Sequence, residues 1–169
     1  MLITTSRKPS QKTRTFARSL QRVLNADYVN RGKMNLRDVL IKAIQSDSDR
    51  ILIISEMKGN PSRIEILNNE GNSLLSVNIT ASITSGNGRV EKNKLMLRCE
   101  NESLRTELIS ILGLVDHESQ KYLTHNSNLI SIRDPERKTS RRVIEFYDRD
   151  GKLTGPKIYL QKCHYKSSN

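Results

Sequence analysis

The residues whose types and spacing most suggest chemistry are arginines. Arg14, Arg18 and Arg22 recur at i, i+4 and i+8, a spacing that places three guanidinium groups along one side of a helix. Arg7-Lys8 precedes them and Arg31-Gly32-Lys33 follows. A guanidinium fork matches phosphate oxygens, while Ser6, Ser10 and Asn30 can add neutral hydrogen bonds that fix position without reading base sequence. Gly32 permits close backbone approach or positive φ. Such a set suits a grip on a polyanion. Arg137-Lys138 and Arg141-Arg142 extend that footprint from the far end of the chain, or form an ordinary solvated basic loop.

Residues that could do catalysis are arranged less tellingly. Gly86-Asn87-Gly88 is the glycine cluster, but it lacks the third glycine of a dinucleotide fingerprint and the Gly-Lys-Ser/Thr ending of a P-loop. Asp116, His117, Glu118 and His125 fall in a loop-like stretch without metal-site spacing. Cys163 and His164 are adjacent, and neighbours in a strand point to opposite faces, whereas a nucleophile and its base must converge. Cys99 and Cys163 lie far apart and are expected to be free thiols. No pair of acids marks a shared pocket. The expectation is a protein without catalytic residues, cofactor or metal.

The elements that must position the basic residues can be read from periodicity. Met1 to Thr5 reads as a strand ended by Ser6-Arg7-Lys8-Pro9, where the proline disfavours continued regular structure. Ser10 is a plausible N-cap, and Phe16, Leu20, Val23 and Leu24 predict a helix over 11–24 with the arginines across from its apolar side. Tyr28 to Asn30 reads as a brief strand. Asn35 with Asp38 predicts a capped second helix reaching Gln45. Ile51 to Met57 is nearly continuous in apolar residues, the mark of a strand buried on both sides, and is the best candidate for a central strand.

Lys58 to Ser62 reads as a break, followed by strands at 63–67, 74–83 and 94–98 and a turn at 68–71. Leu104, Leu108, Ile111 and Leu112 predict a third helix ended by Gly113. Short strands follow at 129–132, 143–147 and 158–160, with a turn at 148–151.

Charge is segregated along the chain. Residues 1–46 hold ten Lys and Arg against two acids, 47–132 nine against eleven, and 133–169 ten against five, within a total of +11 over 169 residues. Segregation favours a binding face over a generally soluble surface. This length suits one domain or two small fused halves and excludes a large multidomain enzyme. With 4% aromatic residues and no Trp, the core must be aliphatic and base stacking cannot be the main binding term. No zinc finger, basic zipper or RNP1-like strand is present, so backbone and shape recognition of structured RNA fits better than a groove-reading helix. Physics alone leaves DNA open. With no apolar run of 18 residues and no apolar leader after Met1, neither a membrane span nor secretion is indicated, and a cytoplasmic protein is expected.

Four motifs carry a resemblance: Thr4-Thr5-Ser6-Arg7-Lys8-Pro9-Ser10, Thr13-Arg14 with Phe16, Asn30-Arg31-Gly32-Lys33, and Lys58-Gly59-Asn60-Pro61-Ser62. In this order they resemble the Brix-domain ribosome-biogenesis proteins, and Gly155-Pro156 with Ile158, Tyr159 and Leu160 resembles that family's closing strand. The chain is similar to the compact archaeal members. The resemblance implies an α/β fold of two similar halves, about 1–85 and 86–169 of a single Brix domain. Each half would resemble the anticodon-binding domain of class IIa aminoacyl-tRNA synthetases. It implies no cofactor, and binding of rRNA or pre-rRNA during ribosome assembly, in company with ribosomal or assembly proteins.

The family's basic surface carries over to Arg7, Lys8, Arg14, Arg31 and Lys33, which sit inside matching motifs. Arg18, Arg22, Arg141 and Arg142 join on charge alone, and Lys58 is added from the fourth motif. Three rivals stay open: a tRNA-binding accessory domain, an enzyme acting on RNA, and a protein-interaction scaffold.

Overall fold

The computed structural model describes residues 1–83, 88–90, 95–117, 127–134 and 141–164, with side chains through Gln161. The chain runs β1 (Leu2–Thr5), α1 (Gln11–Leu24), β2 (Asp27–Tyr28), α2 (Leu36–Gln45), β3 (Arg50–Met57), β4 (Asn60–Asn68) and β5 (Ser73–Ser82). It continues β6 (Leu95–Cys99), α3 (Glu102–Leu112), β7 (Val115–Asp116), β8 (Asn128–Arg133), β9 (Val143–Tyr147) and β10 (Lys157–His164). No described helix is long and apolar enough to cross a membrane.

The ten strands among the described residues join one mixed sheet, in the order β2-β1-β3-β4-β5-β10-β9-β8-β6-β7. That order reads the same from either end once β6 to β10 are set against β1 to β5. β1 is parallel to β2 and β3, and β4 and β5 follow antiparallel. β6 is likewise parallel to β7 and β8, with β9 and β10 antiparallel. The two sets meet at an antiparallel seam that pairs Ile79 with Leu160 and Thr80 with Tyr159.

Side-chain alternation explains why helices lie on both faces. Ile3, Leu52 and Ile54 enter a large core with Phe16, Ala17, Leu20 and Val23 of α1 and Leu104, Leu108 and Ile111 of α3. Their neighbours Leu2, Ile51 and Ile53 point the other way and pack with Val39 and Ala43 of α2. β3 is therefore buried on both faces, as its continuous apolar run requires. The middle of the whole sheet, however, is the β5–β10 seam rather than β3, because there the last strand of one five-strand set pairs with the last strand of the other. Phe16, fully buried, contributes on the order of 2–3 kcal/mol by leaving water.

Helix ends follow local chemistry. Asn35 and Asp38 form a reciprocal capping box at α2, and Gly113 ends α3 in the left-handed conformation. At α1 the Ser10 hydroxyl accepts the Thr13 N–H at 3.2 Å. A second residue completes this cap from a distance of 46 positions. The Glu56 carboxylate accepts the Ser10 N–H at 2.9 Å and its hydroxyl at 2.7 Å. The hairpin that carries Glu56 turns through Lys58 (φ 51°) and Gly59 (φ 75°), positive φ at both central residues as a twist-compatible two-residue turn demands. β4 thus begins at Asn60 rather than after Ser62. Pro61, opposite Glu56, is accommodated where the register shifts.

The halves are tied together on the α1 side of the sheet. The Arg22 guanidinium donates to the Thr154 carbonyl, and Arg50 Nε donates to the Ile111 carbonyl at 2.9 Å. Gly155 packs so tightly that a Cβ there would lie 2.8 Å from Val23 Cγ1 and 3.1 Å from the Phe146 ring.

Two outcomes follow from these contacts. Gly155→Ala is expected to lower stability by about 1–3 kcal/mol through overpacking, read as a lower urea midpoint with an unchanged slope. Hydrogen bonds from the Thr13 hydroxyl, then the Ser10 hydroxyl and N–H, hold the Glu56 carboxyl below its ordinary value. Its contribution is complete above the unfolded carboxyl value of about 4.3 and is lost as pH falls through the lower folded value. The stability difference between the wild type and Glu56→Gln is expected to shrink on acidification through that window. A difference independent of pH would show that the charge of Glu56 does not matter.

Candidate nucleic-acid interface

The predicted basic residues can now be placed. β1 and β2 run parallel, so the loops that leave their carboxyl ends, 6–10 and 29–35, emerge side by side. α1 and α2 leave toward opposite faces, the arrangement that opens a crevice in α/β sheets. The first loop is held at three points: the Ser6 N–H donates to the Ile54 carbonyl at 2.7 Å, the Ser10 N–H donates to Glu56, and the single Ser10 hydroxyl proton is shared between Glu56 and the Gly59 carbonyl at 3.0 Å. Arg14 reaches back from α1 to clasp the Pro9 carbonyl with Nε at 3.2 Å and Nη2 at 2.9 Å.

Between these loops lies an open cleft of about 440 Å³ lined by Arg7, Lys8, Pro9, Arg14, Asn30, Gly32 and Lys33. No acidic side chain is among those lining residues. Three segments separated in sequence thus bring four cations to one concavity, together with the neutral donor Asn30 and the backbone of Gly32. Helix N-termini often bind anions through their free N–H groups. Here Glu56 occupies the N-terminus of α1, so an external anion would be met by the side chains.

Arg31 departs from the expected outward anchor. It is only 9% exposed, and its Nε donates to the Met34 carbonyl at 3.1 Å. Burial first, and the nearby Arg7 charge second, push its guanidinium down from the usual value. It shapes the loop from beneath and adds positive potential rather than a contact surface.

The helical stripe is exposed, but each member is also tied to the protein. Arg18 stacks over the Tyr28 ring at 3.9 Å from its centroid and donates to Gln21 at 3.0 Å. Arg22 is bound to Thr154 and links the halves, so its role in packing accompanies its charge. Lys58 stands exposed at the hairpin tip and does not line the cleft. Arg141 donates to the Thr80 hydroxyl at 3.1 Å beside the central seam, and Arg142 pairs with Asp134; neither lines the cleft. Arg137, Lys138, Gly86, Asn87, Glu118 and His125 lie outside the described residues, as do the side chains of Cys163 and His164.

Among the described candidates for catalysis, none converges on a reaction site. Asp116 lies 3.9 Å from Arg105, His117 contacts Arg98 at 3.1 Å, and Cys99 is buried with its thiol pushed up chiefly by desolvation. Two supporting contacts escaped sequence reading. Glu56 holds Ser10 at the end of the cleft's first loop, and Tyr28 supports Arg18. Glu56 ends an apolar strand and carried no spacing signal linking it to Ser10.

Comparison with known proteins places this geometry in a family. No protein-family model matches the chain. It is 52% identical over 71 residues to a probable Brix domain-containing ribosomal biogenesis protein of Methanothermobacter thermautotrophicus, covering 42% of this chain and 43% of that protein. It is 43% identical over 83 residues to a protein of the same description in Methanococcus maripaludis, covering 49% and 48%. These matched stretches span about half the length of the curated relatives. A probable ribosomal biogenesis protein from Aeropyrum pernix K1, at 21% identity, shares the fold with TM-score 0.79 over 95% of this chain and 94% of that one. The crystal structure of Mil, an archaeal Imp4-like protein, superposes with TM-score 0.76 at 32% identity over 98% of this chain and all of that one. With identity and fold shared over the whole of Mil, the chain belongs to the Brix-domain, Imp4-like family of ribosomal biogenesis proteins.

Proposed function

We propose that this protein is a ribosome-biogenesis factor that binds rRNA or pre-rRNA through the basic cleft and so assists rRNA processing and subunit assembly. The observation that carries this reading is the convergence of Arg7, Lys8, Arg14 and Lys33 on one cleft with no acid among the described residues that line it. Cations of this kind bind phosphates and position a nucleic acid without reading its bases. The Arg18 guanidinium, supported on Tyr28, extends the cationic surface one helical turn along α1. Lys58, Arg141 and Arg142 are assigned to the outer footprint. The protein acts by holding RNA and not by transforming it, works in the cytoplasm, and meets ribosomal or assembly proteins on the same particle.

The recurring pairing order of the strands supports reading the chain as a single Brix domain of two halves. On the motif resemblance, each half is read as like the anticodon-binding domain of class IIa aminoacyl-tRNA synthetases. That likeness keeps tRNA as the competing ligand.

The test is binding to homologous rRNA fragments, tRNA and duplex DNA across a salt series. Lys8→Gln with Lys33→Gln, both exposed cleft residues, is compared with the wild type. Preference for rRNA is expected, with the variant flattening the log-log salt slope by about one to two units, the loss of two phosphate contacts. Equal binding of all three ligands, or an unchanged slope, would remove the cleft as the RNA site.

A further inference from the structure

The duplicated pairing order allows the two halves to be compared position by position. In the first half the sheet face beneath α2 is apolar: Leu2 pairs with Ile51, Ile51 with Leu67, and Ile53 is buried beside them. At the matching register positions of the second half stand Met96, Leu129, Tyr147 and Ser131. Arg98 takes the place of Thr4, opposite Ser131. The face that receives a helix in one half thus keeps Met96 and Leu129 in the other but adds Arg98, Ser131 and Tyr147 around them.

These groups line a second concavity of about 450 Å³, with Arg98, His117, Ser131, Arg133, Tyr147 and Arg149 among its walls. Its size is within the range of small-ligand pockets. The acids near it are directed to protein donors. Asp148, which also borders the concavity, accepts the backbone N–H groups of Arg89 at 3.0 Å, Asp150 at 3.0 Å and Lys152 at 2.8 Å. Glu145, 1% exposed, accepts from Lys157 at 2.8 Å, from the Tyr147 hydroxyl at 2.8 Å and from Arg133. Arg98 faces His117 Nε2 at 3.1 Å.

We propose that this concavity is a second anion site, one that takes the phosphate of a single nucleotide unit, either a free nucleotide or one unit of an RNA strand. Arg98, beside His117, and Arg149, whose Nε pairs with the exposed Asp150 carboxylate at 3.7 Å, would turn remaining guanidinium N–H groups to phosphate oxygens as charge-assisted donors. Ser131 contributes a hydroxyl, and Tyr147 an aromatic surface for the base or sugar. The site lies in the opposite half of the sheet from the Arg7–Lys33 cleft and stands independently of it.

The test titrates the full chain with AMP, with adenosine as the phosphate-free control, and with a short single-stranded oligoribonucleotide carrying a 5′-phosphate. Variants are Arg98→Ala with Arg149→Ala, and Arg149→Ala alone, an exposed turn position whose loss leaves the core untouched. AMP is expected to bind where adenosine does not, with the double variant weakening it about tenfold or more and the single variant by a smaller factor. The part of AMP binding that is lost in the Arg98→Ala with Arg149→Ala variant is expected to persist in the cleft variant Lys8→Gln with Lys33→Gln, which separates failure here from failure of the cleft. Binding of the oligonucleotide but not AMP, with the same dependence on Arg98 and Arg149, would assign the site to an RNA strand. No binding of either ligand, or binding unchanged in both variants, would overturn the proposal.

Discussion

The grip of Glu56 on Ser10 is the interaction on which the basic cleft depends. One carboxylate satisfies the N–H and hydroxyl at the start of α1 and so fixes the angle at which the helix leaves the sheet. It also anchors the loop that carries Arg7 and Lys8 to the β3–β4 hairpin. Without that anchor the loop would be free to move away from Arg14, whose hold on the Pro9 carbonyl sets the width of the cleft. The same contact decides how an anion can be bound. The N-cap N–H already meets an internal carboxylate and the Thr13 N–H is taken by the Ser10 hydroxyl, so selectivity for an external phosphate rests on side-chain charge and its screening by salt.

The two halves share a pairing order but not a surface. Between β1 and its helix cap lie Ser6, Arg7, Lys8 and Pro9, whereas between β6 and the Asn101 cap of α3 lies Glu100 alone. The loop that makes the cleft thus has no counterpart of equal length, and the equivalent end of the second half carries Glu100, Glu102 and Asp116. Sheet pairing constrains backbone register, while side chains on the outer face and loops at strand ends are free to diverge. The repeated architecture therefore positions different chemistry in each half.

Local signals in the sequence were sufficient for much of this. The apolar period from Phe16 to Leu24 and the Ser10 cap delimit α1, Asn35 and Asp38 delimit α2, and Gly113 ends α3. Arg7-Lys8, the Arg14, Arg18 and Arg22 stripe and Arg31-Gly32-Lys33 were legible as one candidate surface because they fall within one short βαβ-like segment; that Arg7, Lys8, Arg14 and Lys33 are the ones lining the cleft was not. What escaped were consequences of distant contacts. Arg22 meets Thr154 across 132 positions, and Arg31 turns inward to the Met34 carbonyl. Neither direction is encoded in helical or turn spacing. Pro61 argued for a break because proline cannot donate to a ladder, but a register shift tolerates it. β7 is two residues long, too short for alternation to mark it.

The most direct measurement is ultraviolet crosslinking of the full chain to homologous rRNA, with adducts mapped to peptides by mass spectrometry. If the cleft holds RNA, adducts are expected within residues 6–33, and Glu56→Ala, which releases the loop, is expected to reduce them while the protein remains folded. Efficient crosslinking with no adduct in residues 6–33 would contradict the assignment of the cleft as the RNA-binding site.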